Sequence, residues 1–153
     1  DADFLIAAED AAQIAQRLAA HDLLVVQPPE DWLFKVYVDD AMVDVIFGPK
    51  GVRSDRALLE RATPMDVLAV EMPVLPATEL LVLKLNAMSE HYCDFSLLIP
   101  VARALREQVD WDAVRRETRD NDYAAALLFL LTRLGIIDEP PDPGHAAPRG
   151  AVR

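Results

Sequence analysis

The stretch "DADFLIA" at residues 1–7 decides how this chain is organised. Asp1 and Asp3 alternate with apolar residues, which is the pattern of a half-buried β-strand. Residues two apart on an extended strand point the same way, with Cα atoms roughly 6.5–7 Å apart. We therefore expect both carboxylates on one face, with Phe4 and Ile6 facing the other side and the core.

Residues 1–76 predict short strands and few helices. The order is strand, helix and strand, then two strands joined by a turn at Asp39–Asp40, a short helix and more extended chain. The segments that carry this pattern are "ADFLIA" (2–7), "EDAAQIAQRLAAHD" (9–22), "LLVVQ" (23–27), "WLFKVYV" (32–38), "AMVDVIFG" (41–48), "DRALLERA" (55–62) and "VLAVEMPVLP" (67–76).

Residues 77–135 predict four helices, because each apolar run has a polar residue in front of it that can cap a helix. Gly135 is a typical C-terminal stop, and the Pro- and Gly-rich residues 136–153 indicate a flexible tail. The sequence thus predicts an α/β (α+β) chain, a small mixed sheet followed by a helical C-terminal half. The predicted caps are Thr78, Asp94, Asp110 and Asp122.

Composition narrows the function classes. The formal net charge of -11 disfavours a broadly basic nucleic-acid surface and suits docking to a basic protein. Arginines do cluster locally, for example at residues 103–119, which we interpret first as solvated helix faces. The single cysteine excludes an intrachain disulfide framework and, with no apolar stretch long enough to span a bilayer, predicts a cytoplasmic protein without membrane contact.

Asp44 is a further carboxylate, placed among strong strand formers in "MVDVIF" (42–47). A charge inside such a run must be compensated by a partner, by water or by a metal. One such aspartate means little alone. Three of them on two neighbouring strands can hold divalent cations that clamp a triphosphate and an attacking hydroxyl.

These residues carry a resemblance to a known superfamily. "DADFLIA", a helix, a hairpin and "VDVIF" together resemble the nucleotidyltransferase (DNA polymerase β-like) superfamily, in which a Gly-Ser or Gly-Gly turn precedes an Asp-x-Asp strand and a third Asp follows on a later strand. The stretch "VLPATELLVLKLNAMSEHYCDFSLLIPVARAL" (74–105) resembles its AbiEii/MenT-type toxin branch. The resemblance covers nearly all of residues 1–134.

The resemblance implies a role for each matching residue. Asp1 and Asp3 match the metal-binding pair, and Asp44 matches the third carboxylate, which helps hold Mg²⁺ and activate the acceptor hydroxyl. Lys84 matches a helix lysine that contacts the phosphates of the nucleoside triphosphate (NTP), and Asp94 matches the aspartate of the final motif. The implied domains are a nucleotidyltransferase core (1–76), the helical half (77–135) and the tail (136–153).

The residues themselves leave alternatives open. Lys84 lies in an apolar helical row with Leu80 and Met88, where a lysine either extends its charge to solvent or points into a cleft. Asp94 is well placed to cap a helix. Lys35 is interpreted as a solvent-facing lysine at a strand edge rather than as a substrate contact.

Two departures from the family pattern stand out. His91 and Cys93 occupy the places of an Arg and a Lys, so this end of the site lacks fixed positive charge. The Gly-Ser turn, whose backbone N–H groups would hold the triphosphate, would precede Asp1. The chain as given is therefore expected to be incomplete for catalysis.

The implied reaction transfers a nucleoside monophosphate from an NTP to an acceptor hydroxyl. Similarity to the toxin branch implies a tRNA 3′ end as the acceptor, growth arrest as the outcome and a cognate antitoxin as a partner. Two alternatives stay open: a nucleotidyltransferase that modifies a small molecule such as an aminoglycoside, and a degenerate member that serves as a binding or regulatory subunit.

Overall fold

The computed structural model of this protein describes residues 2–48 and 54–140, which form an α+β fold with a four-stranded mixed sheet, a two-stranded hairpin and a set of short helices. The strands are β1 (Ala2–Leu5), β2 (Leu24–Val26), β3 (Leu33–Val38), β4 (Ala41–Ile46), β5 (Thr63–Val67) and β6 (Val70–Val74). The α-helices are α1 (Ala11–Ala20), α2 (Arg56–Leu59), α3 (Ala77–Asn86), α4 (Phe95–Leu105), α5 (Trp111–Glu117) and α6 (Asp122–Arg133). The α+β prediction is confirmed.

The four-stranded sheet has the order β1-β4-β3-β2. β1 runs parallel to β4, whereas β3 is antiparallel to both β4 and β2. The two residues Asp39 and Asp40 join β3 to β4, as predicted, and Asp39 adopts the left-handed conformation (φ 51°) that Asp tolerates better than most residues. The tight turn fixes the register of this hairpin.

One face of the sheet carries a small apolar core. Its buried residues are Phe34, Val36 and Val45, and Ile14 and Leu18 of α1 pack against them. These three residues and the partly buried side chains around them are called the sheet core below.

Ile6 packs against the sheet core, as expected, but Phe4 does not have the buried position that the alternation predicted. Phe4 is the register partner of the core residue Val45, yet 46% of its surface stays exposed. The reason is topological. β1 is an edge strand, whereas α1 contacts β2 at the opposite edge of the sheet.

Residues 77–137 form a second, larger core from α3–α6, called the helical core below. Its buried residues are Leu81, Leu85, Met88, Ala102, Val109, Val114, Ala124, Leu127, Leu128, Leu131, Ile136 and Ile137. Among residues 2–48 and 54–140, none belongs to both cores. None of the described helices is long and apolar enough to cross a membrane.

The helix starts are partly as predicted. Asp94 and Asp110 cap α4 and α5 through their side chains. Thr78 is no cap, because α3 starts at Ala77; the Thr78 hydroxyl instead accepts a hydrogen bond of 3.0 Å from the backbone N–H of Asp110. The cap of α6 is Asn121 rather than Asp122. The prediction was one residue off, because both side chains can cap.

The helix ends depend on local turns. α3 ends at Asn86, a few residues before a tight turn in which Ser89 and Tyr92 exchange two backbone hydrogen bonds. After α6, Gly135 adopts φ 63°, and the N–H groups of Gly135 and Ile136 return to the carbonyls of Thr132 and Leu131. This Schellman arrangement confirms the predicted stop.

The first residues after Gly135 pack against the helices. Ile136 and Ile137 are buried in the helical core, and Arg115 donates a hydrogen bond to the carbonyl of Asp138. The predicted tail (136–153) thus has its first two residues packed, and its part from residue 141 onward lies outside the described residues.

Candidate active site

A row of three charged residues crosses the middle of the sheet. Asp3 of β1 lies opposite Asp44 of β4, which in turn lies opposite Lys35 of β3. Register partners on neighbouring strands point to the same face, and the alternation along each strand puts this face opposite Phe34 and Val45 of the sheet core. We call Asp3, Asp44 and Lys35 the charged row.

Lys35 and Asp44 form an ion pair within this row. The Lys35 Nζ donates a hydrogen bond of 2.7 Å to Asp44 Oδ1, with side chains 26% and 17% exposed. The hydrogen bond to Asp44 raises the pKa of Lys35 above its ordinary value, so the amine stays charged at neutral pH. Lys35 Nζ also lies 3.7 Å from the Met42 sulfur, a weak acceptor.

The prediction that Lys35 is a solvent lysine at a strand edge is therefore wrong. β3 is an interior strand between β4 and β2. The sequence contained the signal that was missed. A two-residue turn at Asp39–Asp40 pairs Val38 with Ala41, and the same count along the hairpin pairs Lys35 with Asp44.

The surroundings of the charged row are apolar on one side and open on the other. Leu5, Ile46 and Leu33 form the next row on the same face, and Leu33 is buried. In the other direction the chain leads to Met42 and an open surface hollow at the start of β1 and β4, lined by Ala2, Asp40, Ala41, Met42 and Val43. Asp3 itself is exposed on the edge strand β1, so a ligand can reach this end of the charged row from solvent.

Contacts just beyond β1 hold it against β4. The Ile6 N–H donates to the Ile46 carbonyl at 2.9 Å, and the buried Ser54 hydroxyl donates to the Ile6 carbonyl. The Ser54 carbonyl in turn accepts from the N–H of Ala8 at 3.2 Å. These bonds fix the position of Asp3 relative to Asp44, because they set the register of the two parallel strands.

The donor set of the charged row suits a hard divalent cation. Mg²⁺ prefers carboxylate oxygens and is commonly held by one or two carboxylates together with substrate phosphates. Asp3 and Asp44 supply two such groups side by side, and Asp44 uses only one oxygen for Lys35. Asp1, the other predicted ligand, lies outside the described residues. Residues 2–48 and 54–140 contain no group of three or more His, Cys, Asp or Glu side chains able to hold a metal.

Lys84 lies apart from the charged row. It is exposed on α3, between the buried Leu81 and Leu85, so its charge reaches solvent. Within the described part of the chain it forms no ion pair, and its amine is not within 4.0 Å of the carboxylates of Asp3, Asp44 or Asp94. The predicted phosphate contact stays a prediction.

Asp94 has a structural role that the structure makes explicit. Its Oδ1 accepts hydrogen bonds from the backbone N–H of Ser96 at 2.9 Å and from the Ser96 hydroxyl at 2.6 Å. These two hydrogen bonds lower the pKa of the Asp94 carboxyl below its ordinary value. The capping alternative for Asp94 is confirmed, and a role in catalysis stays a prediction.

The segment before Asp94 offers little positive charge. His91 is exposed, and Cys93 is half-buried with its thiol 3.9 Å from the Glu90 carbonyl. His91 lies within the tight turn at Ser89–Tyr92, and Cys93 directly follows it.

Comparison with known proteins leaves the chain unassigned. No protein-family model matches it, and no curated protein gives a significant match. The case for its function therefore depends on the charged row and on the motifs of the sequence.

Proposed function

We propose that this chain is the catalytic part of a metal-dependent nucleotidyltransferase. The observation that carries the proposal is the register of the sheet: Asp3 and Asp44, 41 residues apart in sequence, lie side by side on parallel neighbouring strands. Two adjacent carboxylates on a sheet face repel each other, and Lys35 compensates only one of them, so a bound cation would relieve the remaining negative charge. A function that needs both negative charges explains why they are there.

In the proposed reaction, the oxygen of an acceptor hydroxyl attacks the α-phosphorus of an NTP. The bond between that oxygen and the α-phosphorus forms, the bond from the α-phosphorus to the bridging oxygen breaks, and pyrophosphate leaves with the electron pair. A bound Mg²⁺ would neutralise phosphate charge. Asp3 and Asp44 would hold that ion, and Asp44 would orient the acceptor hydroxyl and accept its proton.

The finer assignment is to a toxin that adds nucleotides to a tRNA 3′ end and is neutralised by a cognate antitoxin. Its support is the resemblance of residues 74–105 to the AbiEii/MenT-type branch, in which Lys84 would contact the NTP phosphates and Asp94 would belong to the final motif. The net charge of -11 suits a basic antitoxin surface.

The test is a transfer assay with the full-length protein. It is incubated with each α-labelled NTP in turn, Mg²⁺ and total tRNA. We expect label in tRNA with at least one NTP, and a loss of at least about 100-fold in Asp44→Asn, because that variant removes a charge that both holds the cation and activates the hydroxyl. Asp66→Asn, on the exposed strand β5, is the matched control and should keep full activity.

Absence of transfer with every NTP, or equal transfer by Asp44→Asn, contradicts the proposal. Label that appears only when an aminoglycoside or another small hydroxyl compound replaces tRNA overturns the tRNA assignment alone. The net charge favours that second candidate, since a small acceptor needs no positive groove for a polyanion.

A third candidate, a non-catalytic binding or regulatory subunit, is favoured by the Lys35–Asp44 ion pair, which already compensates one of the two carboxylates. In that case the protein would bind its partner with Asp44→Asn and wild type alike, and no NTP would be consumed.

A further inference from the structure

We infer that Lys35 is the built-in counter-ion of Asp44, which a divalent cation must displace, so that the NTP and the cation bind cooperatively. The inference rests on the proposed function and concerns how its site is filled.

Lys35 balances part of the negative charge of the charged row. The charged row holds two carboxylates and one ammonium, a formal charge of -1, with Asp44 only 17% exposed. A partly buried carboxylate beside a second one is costly to leave uncompensated. Lys35 removes that cost in the metal-free protein through its 2.7 Å hydrogen bond to Asp44 Oδ1.

A divalent cation and the Lys35 ammonium would compete for Asp44. A divalent cation that binds Asp3 and Asp44 would lie next to the Lys35 ammonium, and like charges at such short range repel strongly. The cation alone must therefore displace Lys35 from Asp44. In the absence of nucleotide, the affinity of the cation for Asp3 and Asp44 is therefore lowered, because binding must break the ion pair between Lys35 and Asp44.

Lys35 is able to leave Asp44. Its side chain is 26% exposed, it ends in a flexible four-carbon stem, and its only other recorded acceptor among the described residues is the weak Met42 thioether. An arginine could bind a carboxylate with two parallel hydrogen bonds and would leave less readily.

The phosphates of a bound NTP would give the displaced Lys35 ammonium a new partner. An NTP bound by a cation at Asp3 and Asp44 brings several negative charges to the same face of the sheet. The displaced Lys35 ammonium then exchanges a carboxylate for a phosphate, so the repulsion that opposed the cation becomes an attraction for the nucleotide. Nucleotide and cation therefore raise each other's affinity by the same factor.

The experiment is a calorimetric titration of the full-length protein with Mn²⁺, with and without a non-hydrolysable NTP analogue. In Lys35→Met we expect the Mn²⁺ affinity without nucleotide to rise roughly tenfold, because the competing charge is gone. The factor by which the analogue strengthens Mn²⁺ binding should fall by a similar amount. Lys35→Arg should bind Mn²⁺ as weakly as wild type or more weakly. Arg17→Met, which removes one positive charge from α1 on the other face of the sheet, should match wild type.

A measurement on the wild type keeps the inference testable should Lys35→Met fold poorly. The chain has three lysines, so their ammonium groups can be followed by ¹⁵N NMR and assigned with Lys→Arg variants. We expect the Lys35 resonance to shift when Mg²⁺ and the analogue are added together. A Lys35 resonance that stays fixed while the analogue binds overturns the inference.

The outcomes separate this inference from the proposed function. If wild type and Lys35→Met bind Mn²⁺ with equal affinity, and Asp44→Asn abolishes the binding in each background, the role of Lys35 is overturned. The nucleotidyltransferase proposal is then left standing. Failure of every variant to bind Mn²⁺ with the analogue present overturns both.

Discussion

The sheet half and the helical half of this protein stabilise themselves in different ways. The sheet core has only Phe34, Val36 and Val45 fully buried, on one face of four short strands. The helical core buries residues from all four helices α3–α6 and from the segment after Gly135. The first half is a thin layer, whereas the second is a conventional packed core.

The charged row contributes to this difference. On the second face of the sheet, the positions of Asp3, Asp44 and Lys35 are taken by charges that cannot contribute apolar burial. The half that holds the charged row is therefore the half with less apolar area to bury. The half that holds none of the three has the larger buried apolar core.

The largest expected effect comes from truncating one core residue in each half. Phe34→Ala should lower the free energy of unfolding by about 3–5 kcal/mol and Leu127→Ala by about 2–5 kcal/mol, since both side chains are fully buried. Because the two cores share none of the residues that the structure describes, Phe34→Ala should speed amide hydrogen exchange in β1–β4 and α1 much more than in α3–α6.

Leu127→Ala provides the reciprocal measurement, with faster exchange concentrated in α3–α6. Equal acceleration in both halves by either variant would show that they unfold as one unit, and the contrast between a thin and a packed half would then have no energetic meaning.

A smaller effect is expected at the start of α6, inside the helical half. Asn121 Oδ1 accepts from the N–H groups of Tyr123 and Ala124, while its amide donates to the carbonyls of Asn86 and Met88. Asn121→Ala should cost about 2 kcal/mol, because it removes both the cap and the tie to the end of α3. Asp122→Ala, at the next, exposed residue, should lower the free energy of unfolding by only a few tenths of the loss in Asn121→Ala. Urea denaturation of both variants measures the two losses. Equal costs would restore Asp122 as the cap.

The smallest effect is the pH dependence at Asp94. Its carboxyl pKa is lowered in the folded protein, so the carboxylate contributes stability above its unfolded pKa of about 3.9, and this contribution is lost as the pH falls through the folded value. Asp94→Asn should have a slightly lower Tm than wild type at pH 7, with the gap closing as the pH drops below about 3.9. A gap that stays constant from pH 7 to pH 2.5 contradicts this assignment.

Much of the sheet was predictable because strand patterns and turns are local. The turn at Asp39–Asp40, the helix stop at Gly135 and two of the four predicted caps, Asp94 and Asp110, were predictable from neighbouring residues. The β5–β6 hairpin was missed as a hairpin, since Leu68 and Ala69 form its turn with positive φ values of 52° and 63°, which these residues rarely adopt. No Gly or Asn marked that turn.

For the candidate site too, some features depend on local sequence and others on the pairing of distant strands. The sequence by itself determined that Asp3 and Asp44 lie mid-strand, that Asp94 precedes a helix and that Lys84 lies in an apolar helical row, since each depends on local periodicity. Only the tertiary structure decided that β1 lies beside β4, because pairing between parallel strands depends on the packing of the whole sheet. That pairing brings Asp3 next to Asp44, and the position of β3 inside the sheet turns Lys35 from a presumed surface lysine into the partner of Asp44.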